Sequence, residues 1–150
     1  MAGTYTNLIY HIIFSTKNRD NTIDNNIRPE MYRYLGGIVR GEGGILLEIG
    51  GNANHLHLLT KFKPAITISD LLRNLKAHSS KWLHEKSAYN QHFRWQDGYS
   101  VFSVSESQVQ SIKKYIMNQE EHHRHKTFQE EYVGFLKKNH IEYDKRYIWD

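Results

Sequence analysis

Four residues of this chain have the types and spacing to do chemistry together. They are His55 and His57, two apart, and Tyr115 and Gln119, four apart. The stretch Gly50 to Phe62 reads as a Gly/Asn turn feeding a strand of alternating apolar residues. Successive strand side chains point to opposite faces, so His55 and His57 share one face. Leu56 and Leu58 share the other, which suits a core. Two imidazoles on a rigid strand make half of a metal site; the plainer reading is a polar outer face that carries two histidines. Tyr115 lies in the stretch Ser105 to Gln119, whose apolar stripe is Val109, Ile112 and Ile116. Gln108, Ser111, Tyr115, Gln119 and His122 fall on a separate polar stripe by spacings of three and four. A helical tyrosine is ordinarily a packing residue. One aligned with a glutamine on a polar stripe, in a chain that also has a histidine pair, is a candidate nucleophile. His122, His123 and His125 read as an exposed helix end, with metal or phosphate contact as the alternative.

The elements that hold these residues follow from periodicity. Leu8 to Phe14 is apolar on both faces and is expected to be a central strand. A polar loop with Lys17 and Arg19 follows. Pro29 opens a helix that runs to about Arg40 and ends at Gly41, Gly43 and Gly44. Ile45 to Ile49 forms a second strand, joined to His55–Phe62 as an antiparallel hairpin. Ser69 is the expected cap of a helix running to about Glu85. Tyr99 to Val104 is the last strand. Ser105 and Gln108 box the start of a third helix, Glu106 to about His123. A final helix starts at Thr127, boxed with Glu130, and buries Phe128, Tyr132, Phe135 and Leu136. The aromatic tail from Ile141 to Asp150 is expected to pack on a neighbour. The order β-α-β-β-α-β plus extra helices predicts an α+β, ferredoxin-like split β-α-β sandwich with an antiparallel sheet. The tyrosine sits on the added C-terminal helices.

Composition narrows the function classes. At 150 residues, one domain spanning 1–150 is expected. There is no cysteine, which removes disulfides and thiolate zinc sites and fits a reducing cytoplasm. No signal peptide is evident, and no apolar run approaches the ~20 residues that span a bilayer. A net charge of +4 permits a polyanion partner. Ten histidines, ten tyrosines and three tryptophans suit metal binding and base stacking, although tyrosine-rich cores exist too. Lys17, Arg19, Arg73, Lys76 and Lys81 read first as solvated cations and second as phosphate contacts. Trp95, Tyr99 and Phe102 could stack on unpaired bases; core packing is the ordinary role of Phe102.

The motifs together resemble a family. HLH on a strand and YIMNQ on a later helix look like the single-tyrosine HUH transposases of small bacterial insertion sequences, close relatives of the repeat-associated tyrosine transposases. The likeness runs through YHIIFSTKNR, GNANHLHLLTKF, ISDLLRNLKAHSSKW, FRWQDGYSVFSVSESQV and YIMNQEEHHR. Ser100, where relatives often carry glycine, is a minor departure. The resemblance implies that Tyr115 attacks a DNA phosphorus, giving a 5′-phosphotyrosine link and a free 3′-OH. A divalent ion would then sit on His55, His57 and the Gln119 carbonyl; two imidazoles lean toward manganese, zinc or nickel, whereas the oxygen ligand and phosphate chemistry suit magnesium or manganese, so Mg2+ or Mn2+ is expected. The resemblance also implies single-stranded DNA with hairpins as substrate, and a homodimer whose subunits share their active sites. Two other readings stand beside it: a single-stranded nucleic-acid binding module that has lost catalysis, and a metal-dependent phosphoesterase that uses water.

Overall fold

The computed structural model describes residues 3–86 and 88–150. Four strands form it: β1 (Leu8–Ser15), β2 (Ile45–Gly51), β3 (His55–Phe62) and β4 (Ser100–Val104). They make one antiparallel sheet in the order β2-β3-β1-β4. The helices are α1 (Arg28–Gly41), α2 (Ile68–Lys86), α3 (Val109–Met117), α4 (Gln119–His122) and α5 (Phe128–Lys138). This is the expected α+β, ferredoxin-like arrangement. The doubly apolar strand β1 is central, because both of its faces are covered.

Alternation divides the side chains between two layers. Ile12, Phe14, Leu56, Leu58 and Phe62 point to the side covered by α1 and α2, and pack with Met31, Leu35, Leu71, Leu72 and Leu75. Full burial of Leu56 and Leu58 contributes about 1.5–3 kcal/mol each. Ile9, His11, Ile13, His55, His57 and Leu59 point the other way. That face meets α3 through Val109 and Ile116. It meets α5 through Phe128, Tyr132 and Leu136. The histidine face is therefore an interior surface, not an open one. Tyr143, Ile148 and Trp149 of the tail pack on the same cluster.

Two local expectations are corrected. The third helix is not continuous to His123. It opens as a single 3-10 turn, Glu106–Gln108, and breaks at Asn118 (φ −97°, ψ 20°), which separates α3 from α4. Asparagine competes with the helix for backbone hydrogen bonds, which favours a break there. The cap of α2 is Thr67 rather than Ser69: the Asp70 amide donates to Thr67 Oγ1 at 3.3 Å. The Thr127–Glu130 box stands as read, with the Glu130 amide donating to Thr127 Oγ1 at 3.1 Å. Gly50 decides how closely α3 lies on β2. A Cβ there would stand 2.3 Å from the Ile116 carbonyl oxygen, so only glycine permits this approach.

Candidate active site

Strand alternation and the approach of α3 bring the predicted residues together. His55 Nε2 lies 2.9 Å from Gln119 Oε1. The Tyr115 hydroxyl donates to Glu131 Oε2 and lies 3.3 Å from His122 Nε2. Glu131 Oε1 accepts from His57 Nε2 at 2.9 Å. The Tyr115 ring stands edge-on to His57, with centroids 5.8 Å apart. All four residues lie together in the one chain described. Gly50 and the break at Asn118 position Tyr115 and Gln119 respectively.

Three further residues enter the site. Glu131, from α5, is buried at the centre of the cluster. His123 lies 2.9 Å from Gln119 Oε1 through its Nε2, which corrects the reading of His123 as part of an exposed helix end. His11, on β1, bonds His57 Nδ1 through its Nε2 at 2.8 Å. That bond fixes the His57 ring with Nε2 aimed at the cluster, the usual role of a histidine ligand's outer partner. His125 is exposed, as read. Phe128 stacks on His55 with ring centroids 4.4 Å apart and closes the cluster from outside.

The missed residues had weak signals. Glu131 falls at i+3 from Phe128 and i−4 from Phe135, inside the apolar stripe of α5, where an unpaired carboxylate does not belong. His123 is four residues after Gln119, hence one turn on. His11 alternates with Ile9 and Ile13 onto the face of β1 that neighbours His57 once β1 and β3 pair. Only the last signal needs the sheet order.

Burial, with neighbouring His57 adding to it, pushes the His11 imidazole down to about 3. The same two causes hold His55 well below the ordinary imidazole value. Burial works against ionisation of Glu131, but hydrogen bonds from His123 and His57 outweigh it and keep its carboxyl well below the usual carboxylate range. Burial, and then the charge of Glu131, raise the Tyr115 hydroxyl above the usual phenol range. The result is a buried anion beside a protonated tyrosine, with His11 and His55 held neutral. An unpaired buried charge is costly, and a divalent cation would compensate it. His55, His57, His123 and Glu131 each offer one donor atom, all within 4.8 Å of one another. That donor set fits a divalent metal.

The expected DNA contacts lie elsewhere. A groove of about 700 Å³ runs between α2 and the 91–99 segment, on the far side of the sheet. Arg73, Lys76, Arg94, Trp95 and Tyr99 line it. Arg73 pairs with Asp70 on the surface. Lys76 Nζ donates to the carbonyls of Gln96 (2.9 Å) and Asp97 (3.1 Å), so it closes a loop as well as lining the groove. Trp95 is buried and donates to Ser79 Oγ at 2.9 Å, which leaves little ring face for stacking. Lys17 pairs with Asp97 at 3.5 Å, and Arg19 donates to the Trp149 carbonyl at 2.9 Å, holding the tail. Lys81 is exposed. Phe102 packs in the core. Among the described residues, no helix is long and apolar enough to cross a membrane.

Comparison with known proteins gives the class first: a DNA-processing enzyme. The chain belongs to the family of IS200-like transposases, whose model matches residues 4–119. The transposases for insertion sequence element IS200 of Salmonella typhimurium and Salmonella typhi are each 29% identical to it over 124 residues, covering 79% of this chain and 81% of theirs. Among solved structures, a protein of Deinococcus radiodurans R1 assigned as a transposase superposes with TM-score 0.62 at 27% identity, over 79% of this chain and 95% of that one. A REP-associated tyrosine transposase bound to a REP hairpin shares the fold, with TM-score 0.62 at 12% identity over 82% and 73% of the two chains.

Proposed function

We propose that residues 1–150 form one HUH transposase domain that cuts and rejoins single-stranded DNA through a covalent link to Tyr115. The observation that carries this reading is the convergence, inside one chain, of a phenolic hydroxyl with a cation-ready cluster of His55, His57 and Gln119. Phosphodiester transfer needs a nucleophile and a means of neutralising charge on the phosphate. His55 Nε2, His57 Nε2 and Gln119 Oε1 would hold a divalent ion, Mg2+ or Mn2+, with His123 and Glu131 within reach. A bound divalent ion polarises the phosphate and helps orient it.

Tyr115 Oη attacks the phosphorus, the new O–P bond forms, and the bond to the 3′ oxygen breaks. His122 Nε2, 3.3 Å from the hydroxyl, is in reach to take the phenolic proton. The leaving oxygen takes up a proton and becomes a 3′-OH. The covalent 5′-phosphotyrosine conserves the phosphodiester energy, so rejoining to a new 3′-OH needs no ATP. His11 orients His57 throughout. The groove lined by Arg73, Arg94 and Tyr99 is the candidate surface for the DNA strand and for a hairpin.

The test is a covalent-adduct gel with Mn2+ and labelled single-stranded oligonucleotides from the DNA flanking the gene. Protein-linked DNA supports the reading. Free cleaved DNA with no adduct would mean a phosphoesterase that uses water, and binding without cleavage a module that has lost catalysis. For the proposed homodimer, mixing His57→Ala with Tyr115→Phe protein separates the two geometries. Shared sites would regain activity, whereas sites assembled within one chain stay inactive.

A further inference from the structure

The cluster is complete, and it is also closed. His55 and His57 have no exposed surface, Gln119 is 1% exposed and Glu131 is 3% exposed. A DNA phosphate has to reach these groups, so something that now stands among them has to leave. Glu131 bridges the Tyr115 hydroxyl and the polar atoms of His57 and Gln119, which is the place a phosphate under attack would have to occupy.

Glu131 has the shape and charge of what it excludes. A carboxylate presents two oxygens and one negative charge on a single carbon. A phosphodiester presents two non-bridging oxygens and one negative charge on a single phosphorus. Glu131 Oε1 stands 2.9 Å from His57 Nε2, 3.3 Å from His123 Nε2 and 3.6 Å from His55 Nε2. Glu131 Oε2 stands 3.2 Å from Gln119 Nε2 and 3.2 Å from His122 Nε2, and accepts the Tyr115 hydroxyl. Its neighbours are the proposed nucleophile, the proposed cation ligands and two further imidazoles.

We propose that Glu131 is an internal stand-in for the scissile phosphate, that α5 is the gate carrying it, and that His122 and His123 become phosphate contacts when the gate opens. This rests on the phosphoryl-transfer reading above and adds its regulation. The other cluster residues sit on the sheet or on α3 and α4, which pack against it. By contrast, α5 follows a short linker after His123 and docks through a satellite cluster separate from the main core. Phe128 on His55, Phe135 on Phe102, and the hydrogen bond between Ser100 and Tyr132 hold it down.

Three variants test this: Glu131→Ala, Glu131→Gln and Tyr132→Phe. Tyr132 touches none of the donor atoms, so Tyr132→Phe loosens the docking of α5 and leaves the cluster intact. The readouts are fluorescence anisotropy of a labelled single-stranded oligonucleotide, adduct rate in saturating Mn2+, and hydrogen exchange of the α5 amides. Removal of an anion that competes with phosphate should tighten DNA binding at least ~10-fold in Glu131→Ala, with Glu131→Gln between it and wild type. Tyr132→Phe should form adduct ~3-fold faster or more, as expected for a destabilised closed state. Adding His122→Ala to Glu131→Ala should cancel most of the gained affinity. The amides of α5 should lose protection when DNA is added, and keep it when Mn2+ is added alone. Unchanged DNA affinity in Glu131→Ala, or adduct lost in that variant while wild type still forms it, would overturn the gate and make Glu131 an obligatory ligand. So would α5 protection that DNA does not alter. If wild type forms no adduct, the transfer reading fails instead, and the affinity and exchange arms still decide the gate.

Discussion

Gly50→Ala should damage catalysis although Gly50 touches no reacting group. Its Cβ would lie 2.3 Å from the Ile116 carbonyl oxygen and 3.0 Å from Ile116 Cγ2, against ordinary van der Waals contact from 3.4 Å. The oxygen belongs to the α3 backbone, so no side-chain rotation relieves the clash. Either α3 or β2 retreats by about 1 Å, the gap between these two distances. Ile116 is adjacent to Tyr115, so the shift passes to the hydroxyl. Overpacking of this kind costs about 1–3 kcal/mol of stability. A displacement of ~1 Å at a reacting group costs on the order of 100-fold in rate. The assays are urea unfolding and the single-turnover rate of adduct formation at saturating Mn2+. A stability loss in that range with a wild-type adduct rate would refute the claim that the α3–β2 contact sets the nucleophile's position.

Other outcomes follow from the same geometry. In calorimetric titration with Mn2+, His55→Ala and His57→Ala should lose binding, and Gln119→Ala should lose less because an amide oxygen is the poorer ligand; equal binding by all four proteins would reject the site. Metal-free protein should lose stability on acidification. The unfolded chain protonates its histidines near 6.5, whereas folded His11 waits until about 3, so the unfolded state binds more protons in that window. At about 1.4 kcal/mol per pH unit, His11 alone contributes a loss of about 2 kcal/mol between pH 7 and 5. The lowered His55 acts in the same direction, and the depressed Glu131 adds a loss only below the ordinary carboxylate range. Urea unfolding in chelator at the two pH values checks this, and unchanged stability would contradict it. A single strand with a short hairpin should be cleaved at matched salt while the same sequence as a perfect duplex is not. Equal rates would point to a general nuclease.

Periodicity in the sequence was enough for the sheet and for half of the cluster. Alternation in His55–Phe62 separated the imidazoles from Leu56 and Leu58, and helical spacing aligned Tyr115 with Gln119. What stayed hidden depended on contacts between elements distant in sequence. Glu131 enters the site only because α5 folds back over the histidine face, and its place in the stripe of Phe128, Tyr132 and Phe135 read as core. His11 acquires its role only when β1 pairs with β3. The surface cations were the least legible: Arg19 and Lys76 bond backbone carbonyls of the fold, a use no spacing rule distinguishes from phosphate contact. Trp95 reads as a stacking surface in an aromatic-rich loop, yet its isolated bridge to Thr16 and its bond to Ser79 draw it inside.

In the proposed reaction the Tyr115 oxygen forms the covalent bond to DNA. Mass spectrometry of a nuclease-trimmed, protease-digested adduct, formed on a single strand with Mn2+, tests it most directly. The expected result is a peptide containing Tyr115 that carries a 5′-linked nucleotide, with none from Tyr115→Phe protein that keeps wild-type DNA affinity. A nucleotide on any other residue, or an adduct that persists in Tyr115→Phe, would contradict it.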